Sequence, residues 1–207
     1  LDGAFTTAPS LHLGLPGEHN VRNALAVLAA IQELGLPLET AVTALQDFRG
    51  TGRRFELRGE VGGVAVVDDY GHHPTEIRTT LQAARSHYPG RPIWAVWQPH
   101  TYSRTRTLLD RFALAFADAD HVLVTEIYPA RESPPADGFG GRQASQALHH
   151  PDVRFTPGLE QAQQELLAHL RPGDVLLVFS AGDADQLSGR VLAALQEKSS
   201  TTALPGR

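Results

Sequence analysis

Val64-Ala65-Val66-Val67-Asp68-Asp69-Tyr70-Gly71-His72-His73-Pro74 is the stretch whose reading decides the fold. Four consecutive apolar residues, three of them β-branched, leave no polar face, as a strand in a sheet covered on both sides requires. The run then breaks into carboxylates, an aromatic and two imidazoles, and Pro74 opens a helical pattern expected over residues 74–86. Upstream, Gly62-Gly63 separates it from a segment at 57–61, the two-residue signal of a hairpin. Downstream the alternation continues as strand 92–97, helix 104–117 and strand 121–125, then a long Pro- and Gly-bearing loop over 128–141. Helix 142–149, strand 153–155, helix 158–169, strand 174–179 and helix 184–196 complete it. Strands alternating with helices predict an α/β fold: a doubly wound, mostly parallel sheet of about six strands.

The chain ahead of that sheet reads differently. Residues 1–16 look like loop with room for an edge strand. From Asn20, the residues Val21, Ala24, Leu25, Leu28 and Ile31 recur at helical spacing until Gly35, and a second helix is expected over about 38–48. A helical pair of about 30 residues is too small to bury its own core. Residues 1–50 are therefore read as the C-terminal remnant of a preceding domain. Arg49-Gly50-Thr51-Gly52-Arg53-Arg54 is a linker, residues 51–197 form the sheet domain, and the Ser/Thr-rich 198–207 are expected to be a disordered tail. There is no internal repeat.

The 207 residues carry a net charge of −5, with 42% hydrophobic and 20% charged residues, which excludes wholesale disorder. No apolar run approaches the roughly 18 residues of a membrane span. An acidic balance is the wrong sign for nucleic acid or an anionic membrane surface. Without cysteine there is no disulfide, thiolate zinc site or thiol catalysis. A chain beginning at Leu1 with no Met reads as a piece of a longer one. Lys198 is the single Lys among 18 basic residues, so no Gly-x-x-x-x-Gly-Lys phosphate loop can be written.

In a doubly wound sheet, ligands bind beyond the carboxyl ends of the strands. That rule collects residues 68–74, then Gln98-Pro99-His100-Thr101-Tyr102-Ser103-Arg104-Thr105-Arg106, then residues 126–132, then Ser180-Ala181-Gly182-Asp183. Each has a plain structural reading too. Asp69 suits a helix cap ahead of Pro74. The adjacent side chains of His72 and His73 diverge, and no carboxylate stands at ligand spacing, so no metal centre is expected; a hydrolase using His72, His73 and Asp69 with a metal is the alternative. Arg104 and Arg106 put positive charge where a helix start disfavours it, a broken rule of the kind that marks function, with solvated surface as the other reading. Gly182 is a weak phosphate-loop signal. Asn20 and Asn23 share a helix face beside His19, and amides pair bidentately with an adenine edge. N-capping accounts for Asn20 but leaves Asn23 over.

Taken in order, these blocks resemble the Mur ligases, ATP-dependent amide-forming enzymes of peptidoglycan precursor synthesis. The resemblance covers about residues 10–196. Gly17-x-His19-Asn20-x-x-Asn23 is similar to the adenine-side motif closing the family's central ATPase domain. Gly52-Arg53-Arg54-Phe55-Glu56 is similar to the hinge into its Rossmann-like C-terminal domain. Residues 68–76 with Gln98-Pro99-His100-Thr101-Tyr102-Ser103-Arg104-Thr105 resemble the branch using L-alanine and UDP-N-acetylmuramate, with Gly71 where Ala is commoner. A branch attaching an intact tripeptide to the same sugar shares the Asp-Asp-x-x-His-His-Pro block and is one alternative; a stand-alone nucleotide-binding module is another.

The resemblance implies a cytoplasmic ligase of three domains. It would use ATP and Mg2+ to convert the sugar carboxylate into an acyl phosphate, which the amino group of L-alanine attacks. The sugar-binding domain, the P-loop and the magnesium ligands would lie outside this chain, which alone is expected to be inactive. Residue by residue, the resemblance assigns His19, Asn20 and Asn23 to adenine, Arg54 to the nucleotide phosphates, and Asp69 to the ribose or to that Arg. Tyr70, His72 and Arg104 fall to the amino-acid site, with His72 and Arg104 the catalytic candidates. A guanidinium matches two carboxylate oxygens, and an imidazole, of ordinary pKa about 6.5, can position the amine or take its proton.

Overall fold

Residues 10–48 and 50–202 are described by a computed structural model, which divides into one unit ending at Gly50 and another beginning at Thr51. In the first unit, α1 (Glu18–Glu33) and α2 (Leu38–Asp47) are joined through Gly35, whose left-handed φ of 66° suits a residue without Cβ. Among the described residues of that unit only Ala24 and Val42 are buried, while Val21, Leu25, Leu34 and Phe48 stay exposed. Two helices present more apolar face than they can cover for each other. Residues 10–17 form no strand, and the rest of the possible N-terminal edge strand lies outside the described residues.

The second unit begins with a hairpin. Gly62 and Gly63, with φ of 59° and 79°, turn β1 (Glu56–Val61) antiparallel onto β2 (Val64–Asp69). Both central residues are left-handed, the twist that suits a tight hairpin. Then follow α3 (Pro74–His87), β3 (Ile93–Trp97), α4 (Tyr102–Thr107), α5 (Leu109–Phe112), β4 (His121–Val124), α6 (Gly141–Gln146) and β5 (Val153–Phe155). The unit closes with α7 (Leu159–His169), β6 (Val175–Phe179) and α8 (Gln186–Thr202). Strand order is β1-β2-β6-β3-β4-β5, parallel throughout except for β1. The last strand thus inserts between β2 and β3, so the chain runs out to the β5 margin and then returns to the middle of the sheet. Alternate strand residues face opposite layers. Val67, Ala95, Trp97, Val124 and Leu177 pack with Ile77, Leu81, Phe112 and Phe116; Val66, Val96, Leu123 and Val178 pack with Leu166, Leu187 and Val191. No helix among the described residues is long and apolar enough to cross a membrane.

Two expectations need correction. The single helix over 104–117 is broken at Leu108 (φ −106°, ψ 14°). Beyond it the backbone tightens, with Arg111, Ala115 and Ala119 N–H each donating three residues back, and Phe112 and Phe116 both reach Trp97, at 4.6 and 5.4 Å between rings. The tail is also shorter than expected. α8 continues through Thr202, with the Ser199 and Ser200 hydroxyls bonded back to the Leu195 and Gln196 carbonyls and Lys198 Nζ reaching the Leu167 carbonyl. Residues 203–207 lie outside the described residues.

At the amino-terminal end of β4 and β5, Asp152 accepts from His121 Nδ1 (2.6 Å) and Arg154 Nε (3.1 Å), while Arg154 also reaches Glu165 (2.7 Å). Trp94 packs against both partners, with the His121 ring stacked at 4.2 Å and the Arg154 guanidinium at 5.1 Å over its face. Burial works to raise the Asp152 carboxyl, but the hydrogen bonds and charges of His121 and Arg154 outweigh it and hold the group below the ordinary Asp range. A carboxyl depressed by folding contributes stability that is present above its unfolded value of about 3.9 and is lost as pH falls through the folded one. Thermal melts should therefore show Asp152→Asn less stable than wild type near neutrality, with the gap closing as pH falls below about 3.9. A gap that stays constant with pH would remove the ion pair from the account.

Candidate active site

Asp68 and Asp69 are neighbours in β2 that face opposite layers. Asp68 accepts the Ser188 hydroxyl of α8, with Arg58 Nε at 3.6 Å; burial nevertheless pushes its carboxyl up. Asp69 turns the other way and accepts backbone N–H groups with both oxygens, from Phe55 (2.9 Å) and Gly71 (2.7 Å). Burial raises the Asp69 carboxyl against those two bonds and the nearby charge of Arg54. The Tyr70 N–H adds a bond to the Arg53 carbonyl at 2.6 Å. Residues 53–55 are thereby clamped to the end of β2. Arg53 (φ 60°) and Phe55 (φ 48°) are left-handed non-glycine residues, a cost of order 1–3 kcal/mol each that only such a clamp sustains.

That clamp presents two guanidinium groups to one ring. Arg53 and Arg54 lie 5.2 and 5.5 Å from the centre of Tyr70. Arg53 also donates to the Ser180 carbonyl (2.5 Å) and approaches Asp185 (3.5 Å), whereas Arg54 is exposed and 3.5 Å from Glu76. Glu76 was not singled out by the sequence, although its place three residues after His73 is the capping-box position. One of its oxygens accepts the N–H of both His72 (3.0 Å) and His73 (3.1 Å). Burial tends to raise its carboxyl, yet those bonds with the charges of His72 and Arg54 bring it below the ordinary Glu range. The two histidines are used separately. His73 caps α3, its Nδ1 accepting from Thr75 N–H, while His72 Nδ1 lies 3.0 Å from the Tyr70 carbonyl. A carbonyl only accepts, so Nδ1 carries the proton and the lone pair of neutral His72 is on Nε2.

Beyond β3, His100 supplies what the sequence reading missed. Its Nδ1 is 3.1 Å from Nη1 of Arg104, its ring stacks on Tyr128 at 5.7 Å, and the His72 ring stands 6.1 Å away. A strand end carrying a polar ring four residues before an Arg on a helix start was the available signal. Arg104 is half-buried, and no carboxylate among the described residues pairs with it. The helix-start argument for Arg104 and Arg106 does not hold. α4 starts at Tyr102 and is about one and a half turns long, so both lie in its last turn, where cations suit the dipole. Arg106 pairs with Asp137 at 2.7 Å and lies 4.7 Å over Phe139. The turn after β6 is not a phosphate cradle. Gly182 N–H donates to the Ser180 hydroxyl (3.1 Å), and Gln98 binds Ser180, Asp183 and Ala184 together.

The structure thus brings together Arg54, Asp69, Tyr70, His72 and Arg104 beyond the ends of β2 and β3, the strands on either side of β6. His19, Asn20 and Asn23 belong to the first unit. There α1 is capped by Gly17 rather than Asn20, Asn20 Nδ2 donates back to the Pro16 carbonyl (2.7 Å), Asn23 is exposed and buried His19 Nδ1 has no partner. Among the described residues no three His, Asp or Glu side chains are grouped to hold a metal ion.

The model of one protein family, described as Mur ligase, glutamate ligase domain, matches residues 53–182. A UDP-N-acetylmuramate–L-alanine ligase of Desulfatibacillum aliphaticivorans is 47% identical over 184 residues, 88% of this chain and 40% of that protein. The crystal structure of a UDP-N-acetylmuramate–alanine ligase from Thermotoga maritima superposes with a TM-score of 0.75 at 33% identity, covering 91% of this chain and 40% of that one. A murein peptide ligase from Psychrobacter arcticus gives a TM-score of 0.66 at 29% identity, covering 95% and 40%. The chain spans about two fifths of the length of these relatives.

Gly182 tests how tightly the strand ends are assembled. A Cβ there would lie 2.5 Å from the Tyr128 ring and 2.6 Å from Gln98 Oε1. Gly182→Ala is expected to cost about 1–3 kcal/mol in urea unfolding, since neither neighbour is a free side-chain tip. An unchanged midpoint would mean that Tyr128 and Gln98 are loosely held.

Proposed function

The chain belongs to the Mur ligase family, and on that premise we propose that it is the C-terminal part of an ATP-dependent ligase joining L-alanine to UDP-N-acetylmuramate. The observation that carries this reading is Arg104: a half-buried guanidinium at a strand end, steered by a neutral acceptor and lacking any carboxylate among the described residues. A carboxylate from solution is the partner its paired donors match. The similarity to L-alanine ligases supports an amino acid as its source.

In this reading the sugar carboxylate takes the terminal phosphoryl group of ATP, releasing ADP. The amine of L-alanine then attacks the acyl carbon, the amide forms, and inorganic phosphate leaves. Arg104 holds the alanine carboxylate. His72 faces the amine with its Nε2 lone pair and accepts the proton that the nitrogen loses, because Nδ1–H is committed to Tyr70. Tyr70 fixes that imidazole edge-on at 5.4 Å and orders Arg54, whose exposed guanidinium suits the nucleotide phosphates. Asp69 acts at one remove, by clamping the segment that carries Arg54. The first unit, as the end of the central ATPase domain, offers His19, Asn20 and Asn23 to adenine. Among the described residues no three His, Asp or Glu side chains are grouped to hold Mg2+, and its ligands would belong to the part of the ligase that carries the P-loop. A UDP-linked substrate makes the cytoplasm the compartment, and the chain by itself is expected to turn over no ATP.

In the full-length ligase, Arg104→Ala should raise KM for L-alanine by about 30-fold or more, the loss expected when one partner of a hydrogen-bonded charge pair is removed. KM for ATP should hold. An unchanged KM for L-alanine, or efficient use of an intact tripeptide in its place, overturns the assignment.

A further inference from the structure

Arg104 Nη1 faces His100 Nδ1 at 3.1 Å. A guanidinium has five donors, no acceptor, and keeps its charge. The nitrogen opposite it is therefore bare, and the proton of the His100 ring sits on Nε2. A second proton would set N–H against N–H and cation against cation. We propose that His100 is a positioning residue for the amino-acid carboxylate: as the neutral Nε2–H tautomer it holds one edge of the Arg104 guanidinium so that the remaining N–H groups meet the carboxylate of the incoming amino acid. The inference rests on the assignment of Arg104 given above.

The backbone is built to make this contact. Thr101, between the two, has φ 64°, a position β-branched residues rarely adopt. Its N–H donates to the Tyr128 carbonyl (2.9 Å), its carbonyl accepts the Thr105 hydroxyl (2.7 Å), and its own hydroxyl accepts the Arg104 N–H (3.4 Å). Strain of this kind persists where surroundings over-determine it, and here it turns His100 and Arg104 toward each other. The ring is braced from behind by Tyr128, stacked at 5.7 Å with the planes 20° apart. The charged groups facing it are Arg104 on α4, His72 on the turn after β2, and Glu132 on the loop after β4. Burial, Arg104 and His72 hold its pKa below the ordinary His value, with only Glu132 acting the other way. An Arg already held in one rotamer loses less freedom when a ligand arrives.

The test is steady-state kinetics of the full-length ligase with L-alanine from about pH 8 to about pH 5.5, spanning the ordinary His range. His100→Asn keeps an acceptor near the Nδ1 position but does not titrate; His100→Leu removes it. His100→Leu should raise KM for L-alanine about tenfold, the loss of one hydrogen bond to a charged group, with kcat and KM for ATP little changed. His100→Asn should restore most of it. As pH falls, KM should climb more steeply in the wild type than in His100→Asn, because only the wild type loses the acceptor to protonation. No effect of His100→Leu on KM, no rescue by Asn, or identical pH profiles each overturns the proposal. Arg104→Ala measured alongside separates the two readings. If it leaves KM unmoved, the assignment of Arg104 fails and His100 with it; if it raises KM while His100→Leu does not, His100 alone fails. Nitrogen-15 imidazole spectra of the wild type give a readout independent of variant folding: Nε2–H at His100 is expected, and Nδ1–H overturns the proposal.

Discussion

A buried carboxylate bonded twice to backbone holds the site together. Asp69 sits at the last position of β2 and accepts the N–H of Phe55 on one oxygen and of Gly71 on the other. A hydrogen bond to a charged acceptor is worth roughly twice a neutral one, and an orphaned buried N–H costs about 1–3 kcal/mol. These magnitudes are large enough to offset the left-handed backbone at Arg53 and Phe55. With that segment fixed, Arg53 and Arg54 meet Tyr70, and the turn through Gly71 delivers His72 and Glu76 to the same side.

A second brace comes from β6, which enters the sheet last and lies between β2 and β3. Gln98 at the end of β3 reaches across to Ser180, Asp183 and Ala184 beyond β6, so the polar turns after these strands are joined by side-chain amides and hydroxyls as well as by the ladder. Catalytic precision on loops needs a rigid support of this sort. Arg53, bonded to the Ser180 carbonyl, ties the clamp at β2 into the same brace.

Most of the fold was legible because its strands have no polar face and its turns are marked by glycine and proline. Val64–Val67 and Val175–Phe179 admit no other reading in a chain of this size, and the Gly62-Gly63 hairpin is equally plain. The helix break at Leu108 was not legible, since nothing local forbids a helix there, and the chain beyond it still delivers Phe112 and Phe116 to Trp97. The serines at 199 and 200 read as tail because their composition is polar, whereas both lie within α8 with their hydroxyls folded back onto its carbonyls. At the site, charged residues on strand ends stood out, but supporting residues did not. Glu76 looks like an ordinary cap and His100 like one imidazole among several until distances reveal what each holds. Arg106 shows the converse: expected at a helix start, it lies in the last turn of the short α4, where a cation suits the dipole, and it pairs with Asp137 far along the chain.

The two margins of the sheet carry a consequence for solubility. β5 is three residues long, and its central Arg154 is committed to Asp152 and Glu165. On the other side β1 has an irregular register between Leu57 and Gly59 and bears Glu56, Arg58 and Glu60. A short charged margin and a kinked charged one both make poor templates for a foreign strand. A sheet of nearly continuous valine and leucine therefore offers little at either margin onto which another strand could add.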